Sequence, residues 1–327
     1  MKAVRIHEFG GPEVLVCEEV EDPLPGQGQV RVKVAACALN HVDVDIREGL
    51  SRFPIELPLT LGLEIVGTVD MIGPNAERGV RVGERVMPYL LGGEVFLGVA
   101  GNGGYAEYVI CPPEQLVTIP DELTDWVQVA TLQVAFATSW HMLFYRGGLR
   151  IGETVLINSV SSGIGSAAVQ LAKLAGATVI GTSSSEEKLD AARALGLDYG
   201  INYLEQDVRE RVMELTGGKG ADLVYEHVGG DLFQKGLESL RQGGRMVTCG
   251  AHSGEVVPFD IIPFFRSEWS VSGSFVYSRN EVEQVLDFAR RGLIKPQLAR
   301  TFPLAETRTA FELMESRDFF GKLVVVP

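Results

Sequence analysis

Residues 155–188 read VLINSVSSGIGSAAVQLAKLAGATVIGTSSSEEK. The order is an apolar strand, a Ser/Gly turn, an amphipathic helix, a second apolar strand and a polar patch ending in Lys188. It predicts half of a dinucleotide-binding unit. Phosphate is received at the mouth of the first helix, where free N–H groups and the positive end of the helix dipole converge. Ser159, Ser162, Gly163, Ile164 and Gly165 make up the turn's candidate cofactor residues. Gly163 and Gly165 are expected to permit a tight turn and close packing of helix on strand. The G-x-G-x-x-G spacing is incomplete, because Val160 and Ser162 stand at its first two glycine positions. Ser162 keeps a hydroxyl that can donate to phosphate, although its Cβ limits the approach of the backbone.

The end of the second strand selects the dinucleotide. Sites that prefer NAD place Asp or Glu there to accept from the ribose hydroxyl. Here VIGTSSS ends on Ser183, Ser184 and Ser185, with Lys188 in the first turn of the next helix. Hydroxyls and a cation suit a 2′-phosphate, so NADP(H) is the expected cofactor. The same serines suit a helix cap, with Glu186 and Glu187 at its positive end, and one side chain can do both.

Outward from this stretch, the chain changes character. Before residue 124, short β-type runs at 2–6, 14–20, 29–36, 64–72, 85–89 and 105–111 are punctuated by Gly and Pro, which predicts a compact β body. A helical pattern begins near Thr124. From Thr154 strands (154–158, 178–182, 199–202, 223–227, 245–249, 270–275) alternate with helices (165–175, 185–195, 206–215, 232–240, 279–291), predicting a doubly wound parallel sheet. Residues 322–326 form another apolar run suited to return to the β body. TGGKGAD at 216–222 lacks the Ser or Thr a P-loop needs after its lysine and reads as a helix stop. Pro263, Phe264 and Phe265 read as core.

The 327 residues carry 43 acidic against 29 basic side chains, a formal charge of -14. That surface repels phosphate backbones and anionic lipid, so neither nucleic acid nor membrane is an expected partner. Residues 1–14 contain no apolar signal core, and no stretch approaches the length of a bilayer span. Cys17, Cys37, Cys111 and Cys249 are scattered, without a C-x-x-C pair, which fits a reducing, cytoplasmic setting.

The chain resembles the medium-chain dehydrogenase/reductase superfamily, and most of all its zinc-free quinone oxidoreductase branch. The resemblance rests on MKAVRIHEFGGPEVL, LPGQGQVRVKVAACALNHVDVDIREG, the phosphate-turn block continuing through LDAARALGLDYGINY, then GGRMVTCG and FGKLVV, in that order. It implies an α/β protein with a GroES-like β domain (1–123), a Rossmann-type NADP(H)-binding domain (124–292) and a segment returning to the β domain (293–327). The site is implied to lie in the cleft between the domains. A homodimer through cofactor-domain edge strands, here residues 270–276, is also implied.

Zinc-dependent relatives ligate metal where this chain has Asn40, Leu63 and the neighbourhood of Leu132–Gln133. Leucine cannot ligate zinc and a carboxamide is a poor substitute for thiolate, so no metal is expected. The cysteine run that binds structural zinc in such relatives is replaced by residues 92–104. By resemblance Asn40, Asp43, Arg47 and Glu64 sit on the substrate side, with Asn40 able to donate to a carbonyl. Asp43 is placed to orient Asn40 or the ribose, or to cap the following helical turn. His41 is a candidate acid, since imidazole titrates near neutrality. Thr138, Tyr203, Gly250 and Phe275 match family positions around the cofactor. Lys322 suits either phosphate or the solvent.

The expected activity is NADPH-dependent hydride transfer to quinones or related conjugated carbonyls. The alternatives are an enoyl or alkenal double-bond reductase, a relative of zinc-type alcohol dehydrogenases, and a non-catalytic NADPH-binding protein with regulatory or RNA-binding work.

Overall fold

The computed structural model describes residues 1–76, 79–89 and 96–327. In chain order come strands β1 (Lys2–Ile6), β2 (Val16–Glu19) and β3 (Val30–Ala38), helix α1 (His41–Arg47), then β4 (Leu59–Thr60), β5 (Glu64–Ile72), β6 (Arg85–Pro88), β7 (Tyr108–Cys111), β8 (Leu116–Thr118) and helix α2 (Trp126–Val129). A helical run follows in which α3 (Thr138–Trp140) is flanked by π-helical turns at Gln133–Ala137 and His141–Arg146. Then come β9 (Thr154–Ile157), α4 (Gly163–Leu174), β10 (Thr178–Ser183), α5 (Glu186–Arg193), β11 (Tyr199–Asn202), α6 (Val208–Leu215), β12 (Ala221–Glu226), α7 (Gly230–Glu238), β13 (Leu240–Thr248), α8 (Ile261–Arg266) and β14 (Ser270–Gly273). The chain finishes with α9 (Arg279–Arg290), β15 (Leu298–Pro303), α10 (Thr307–Ser316) and β16 (Lys322–Val326).

Two compact units result, Met1–Val134 with Ser278–Pro327, and Ala135–Tyr277. The first holds a seven-stranded sheet of order β15-β16-β3-β5-β6-β8, with β7 also on β3, and a small sheet β2-β1-β4. β3 is buried along most of its length; its first half alternates Val30, Val32 and Val34 with Arg31 and Lys33, and its second half, residues 35–38, is continuously apolar. Its C-terminal end runs between two neighbours: Ala38 pairs with Glu64 of β5 and with Val324 of β16. This register delivers the starts of β5 and β16 to the loop that follows β3.

The second unit is a six-stranded parallel sheet of order β11-β10-β9-β12-β13-β14. This is the doubly wound order, with the direction of winding reversing between β9 and β12. Its core gathers Leu156, Ile180, Ile201, Val224 and Met246 from the strands, with Val208, Val212 and Leu237 from the helices. Helix α4 packs through Ala167, Ala168, Leu171 and Ala172, small enough to bring it close to the sheet. It stops in a Schellman turn: Gly176 is left-handed (φ 74°), and Ala177 N donates to Ala172 O at 3.1 Å.

Several expectations shift. β4, β8 and β15 were not anticipated: β4 has two residues, and β15 is an exposed edge strand carrying Arg and Pro. β7 starts at Tyr108, because Tyr105 instead bonds Leu61 O through its backbone. The units divide after 134 and 277, whereas sequence suggested 123 and 292. Arg279 donates to Glu114 O (3.4 Å) and Arg290 pairs with Glu122 (3.6 Å), tying α9 to the first unit. Helix α8 buries none of its residues, so 263–265 are not core; Ile261, Ile262 and Phe265 are exposed. Residues 216–220 do stop α6, with Gly218 N on Met213 O at 2.7 Å and Gly220 N on Thr216 Oγ1 at 2.8 Å. Of the segment 92–104, residues 92–95 lie outside the described residues. Among the described residues no helix is long and apolar enough to cross a membrane.

Candidate functional site

The phosphate turn connects β9 to α4. Its left-handed residue is Ser159 (φ 54°), not Gly163, which corrects the expected role of that glycine. Gly165 does what close packing requires, since a Cβ there would stand 2.1 Å from Ser159 O. Ser159 N donates to Thr182 Oγ1 (3.0 Å) and Val160 N to Thr182 O (3.0 Å), anchoring the turn to β10. Ser162 caps α4: its Oγ accepts from Gly165 N (2.9 Å) and also lies 3.0 Å from both Ser159 O and His227 Nε2. That hydroxyl is therefore occupied within the protein and is not the free phosphate donor expected. Gly163 N and Ile164 N, the first two of α4, have no acceptor among the described residues. Thr138 is buried in α3 beside Ser139, whose Oγ lies 3.0 Å from Ile164 O and 2.9 Å from the Tyr225 hydroxyl.

The ends of β10 and β11 lie side by side. Ser183 pairs in register with Asn202, and Tyr203 N donates to Ser183 O at 3.1 Å. The Ser183 hydroxyl is buried and has no hydrogen-bond partner in the protein. Ser185 caps α5, its Oγ accepting from Lys188 N at 3.4 Å. Capping and the proposed phosphate contacts thus fall to different serines. Gly250 follows β13, where a Cβ would meet His227 O at 2.6 Å. Phe275 follows β14 and is 64 % exposed.

Beyond β12, two side chains that sequence inspection passed over shape the loop. Glu226 accepts from Val228 N (2.7 Å), Gly229 N (2.9 Å) and Thr248 Oγ1 (3.0 Å), with burial raising its pKa against those bonds. His227 is 6 % exposed, and burial first, then His252, depress its pKa to about 3, so the ring is neutral. The only hint in the sequence was a polar pair closing an apolar strand ahead of Gly229 and Gly230.

In the first unit, the strand register collects a buried ionic cluster. Lys322, at the start of β16, is 6 % exposed. Its Nζ donates to Leu39 O (2.6 Å) and Asn40 Oδ1 (2.7 Å) and pairs with Glu64 Oε2 (2.8 Å). Asn40 Nδ2 donates to Ala38 O (3.2 Å) and Glu64 Oε2 (3.2 Å). The other oxygen of Glu64 accepts from Val134 N (2.7 Å). Both N–H groups of Asn40 are thus spent inside the protein, which corrects its reading as a carbonyl donor. Lys322 is neither phosphate-facing nor a surface lysine. Asp43 accepts from Asn40 N (2.8 Å), Gly62 N (3.3 Å) and the Tyr105 hydroxyl (2.9 Å); burial raises its pKa to about 6. It secures the first turn of α1, which His41 opens, with Oδ2 taken by Asn40 N and the Tyr105 hydroxyl and Oδ1 on Gly62 N. Arg47 is fully buried and bonds Gly10 O (2.9 Å), Glu48 (2.6 Å) and Glu315, under the Phe311 ring. It braces α1 rather than a reacting group.

Residues 26–121 match the alcohol dehydrogenase GroES-like domain family and residues 163–291 the zinc-binding dehydrogenase family. A 2-haloacrylate reductase of Burkholderia sp is 34% identical, over 99% of this chain and 98% of that protein. A quinone oxidoreductase of Pseudomonas aeruginosa is 33% identical, over 100% and 99%. The chain belongs to the medium-chain dehydrogenase/reductase superfamily, in its quinone oxidoreductase branch. It is an oxidoreductase. Among solved structures of the superfamily, Escherichia coli quinone oxidoreductase complexed with NADPH aligns with a TM-score of 0.90 at 28% identity, covering 100% of both chains. An NAD-dependent alcohol dehydrogenase aligns at 0.94 and 36%, also over 100% of both.

Membership in a superfamily that includes zinc enzymes makes the first-unit cluster informative. Among the described residues no three His, Cys, Asp or Glu side chains gather as a ligand set. Leu63 is buried core, and the Glu64 carboxylate and Asn40 carboxamide face an ammonium. This donor set does not fit zinc: a cation is already bonded to both oxygens that would approach it. Gln133, next to the backbone that holds Glu64, is fully buried with neither amide atom hydrogen-bonded in the protein.

Proposed function

We propose that this oxidoreductase transfers hydride from NADPH to quinones or related conjugated carbonyl compounds. The observation that carries the cofactor choice is the buried, unpartnered Ser183 hydroxyl at the end of β10, where an NAD site needs a carboxylate. Such an orphan is costly without a ligand, and a 2′-phosphate oxygen satisfies it. Lys188 in the first turn of α5 supplies charge, and Tyr203 stands beside Ser183 on the next strand end. The open N–H groups of Gly163 and Ile164 suit the pyrophosphate. When bound, the nicotinamide supplies the hydride, and the chain binds and orients it. In the first unit Lys322, Glu64 and Asn40 hold one another in a rigid set.

The relatives' names support the acceptor class, since quinones and 2-haloacrylates both carry a carbon–carbon double bond conjugated to a carbonyl. The decisive assay follows oxidation of NADPH and of NADH against a quinone panel and an enal and acrylate panel. Turnover with NADPH on quinones is expected. Equal use of NADH overturns the cofactor reading, and turnover on the second panel alone moves the activity to double-bond reduction. Ser183→Asp should shift preference toward NADH by about tenfold or more, through repulsion of the 2′-phosphate. Similarity to an NAD-dependent alcohol dehydrogenase motivates a control with alcohols and NAD.

A homodimer through β14 belongs to the same reading. β14 is the outer strand of its sheet, and the exposed Ile261, Ile262 and Phe265 give the unit apolar surface suited to a second copy. Sedimentation at twice the chain mass is expected, and a monomer at micromolar concentration excludes it. All four cysteines are free, in keeping with the cytoplasmic setting proposed.

A further inference from the structure

In a doubly wound sheet, the loops leaving the two strands at the point of reversal diverge and admit the ligand. Here those strands are β9 and β12, and two side-chain hydrogen bonds among the described residues reach across: Asn158 Nδ2 to Leu232 O (3.2 Å), and, at the mouth of α4, His227 Nε2 to Ser162 Oγ (3.0 Å). We propose that His227 is a positioning residue for the dinucleotide, locking the cap of α4 so that the Gly163 and Ile164 N–H groups stay aimed at the pyrophosphate. The inference rests on the NADPH reading above and adds a residue to it.

Ser162 Oγ accepts from Gly165 N and has one proton of its own. If His227 carries its proton on Nε2, Ser162 accepts from both Gly165 and His227 and donates to Ser159 O, so the hydroxyl is saturated. The other tautomer buries an unpaired Nδ1–H and takes the proton of Ser162 away from Ser159. The Nε2–H tautomer leaves only the Nδ1 lone pair without a partner, the cheaper orphan.

The ring is also held from behind. Glu226 fixes the following backbone through Val228 N and Gly229 N, and Gly250 lies too close to His227 O to carry a side chain. A residue chosen only for packing would not bring a buried, unpaired nitrogen with it. The Nε2 bond is what the imidazole contributes that an apolar side chain would not.

The test measures dissociation constants for NADPH and for 2′-AMP, which has the 2′-phosphate but no pyrophosphate, by fluorescence titration. It compares wild type, His227→Phe, His227→Gln, Ser162→Ala and the double variant Ser162→Ala/His227→Phe. Loss of one hydrogen bond should weaken NADPH binding about three- to tenfold in His227→Phe. His227→Gln, whose amide can reach the same oxygen, should stay within about twofold of wild type. 2′-AMP should bind all five alike, and the double variant should be no weaker than Ser162→Ala. Equal weakening of 2′-AMP, additive losses, or an unchanged His227→Phe overturns the proposal while the NADPH reading stands. Wild type that binds neither probe removes that reading and this inference with it. Urea midpoints establish that each variant is folded, and His227→Met replaces His227→Phe if the larger ring does not fold.

Discussion

Lys322 has three N–H donors, and the structure supplies three oxygens, from Leu39, Asn40 and Glu64. Removing one partner of such a buried pair strands the other charge. Lys322→Met should therefore cost about 3–5 kcal/mol in urea unfolding, and Lys322→Met/Glu64→Gln should recover most of it. Equal instability of the single and double variants would show the ammonium to be incidental. Asp43 behaves differently. Its pKa is raised to about 6 by burial, against Lys322, Tyr105 and two backbone donors that favour the charge. Because the unfolded carboxyl ionises near pH 3.9, the folded state holds the extra proton between there and about 6, and stability falls as pH rises through that window. The difference between wild type and Asp43→Asn should shrink by up to about 3 kcal/mol from pH 4 to pH 7. A constant difference refutes the burial argument. Asp43 holding Asn40 and the first turn of α1 was legible in the sequence; the rest of the cluster was not. Asn40, Asp43 and Glu64 were picked out by resemblance, but their partners Lys322 and Tyr105 lie far away in sequence. Only strand register brings them in.

At the scale of elements, the phosphate turn was the most legible part, because a strand, a cap and a helix are encoded locally. Ser185 capping α5 is legible as a short polar side chain at a helix start, whereas Ser162, which reads as a phosphate donor, caps α4. What local reasoning misplaced was the backbone strain, which sits on Ser159 rather than on a glycine. Ser159→Gly should accordingly raise stability by about 1 kcal/mol, measured by thermal denaturation. Gly165→Ala should do the reverse and weaken NADPH binding at least tenfold, since its Cβ would drive α4 away from Ser159 O. Wild-type affinity in that variant would mean the turn yields. Short or edge strands such as β4 and β15 escaped notice because their burial comes from neighbours rather than from their own pattern.

For the whole molecule, alternation of strands and helices was enough to predict the doubly wound sheet, as each βαβ step permits few arrangements. Where the chain divides was less visible, because α9 resembles its helical predecessors yet is tied to the first unit by Arg279 and Arg290. NADPH at about a hundred times its dissociation constant should stabilise the protein by about 2.7 kcal/mol, read as an upward shift in the thermal midpoint. 2′-AMP at the same multiple should match it, and an unmoved midpoint with either would show that the ligand does not select the folded state.

Pairing of β16 with β3 also has a consequence for synthesis. The second unit, Ala135–Tyr277, is one uninterrupted stretch and is complete once its own residues have emerged from the ribosome. The first unit begins earlier but closes later. Until residues 322–326 appear, Glu64 has no counter-ion and one side of β3 stays open near Cys37 and Ala38. The unit translated first thus waits for a segment that follows the whole of the second, and until it emerges Glu64 lacks its buried ammonium and β3 lacks one strand neighbour.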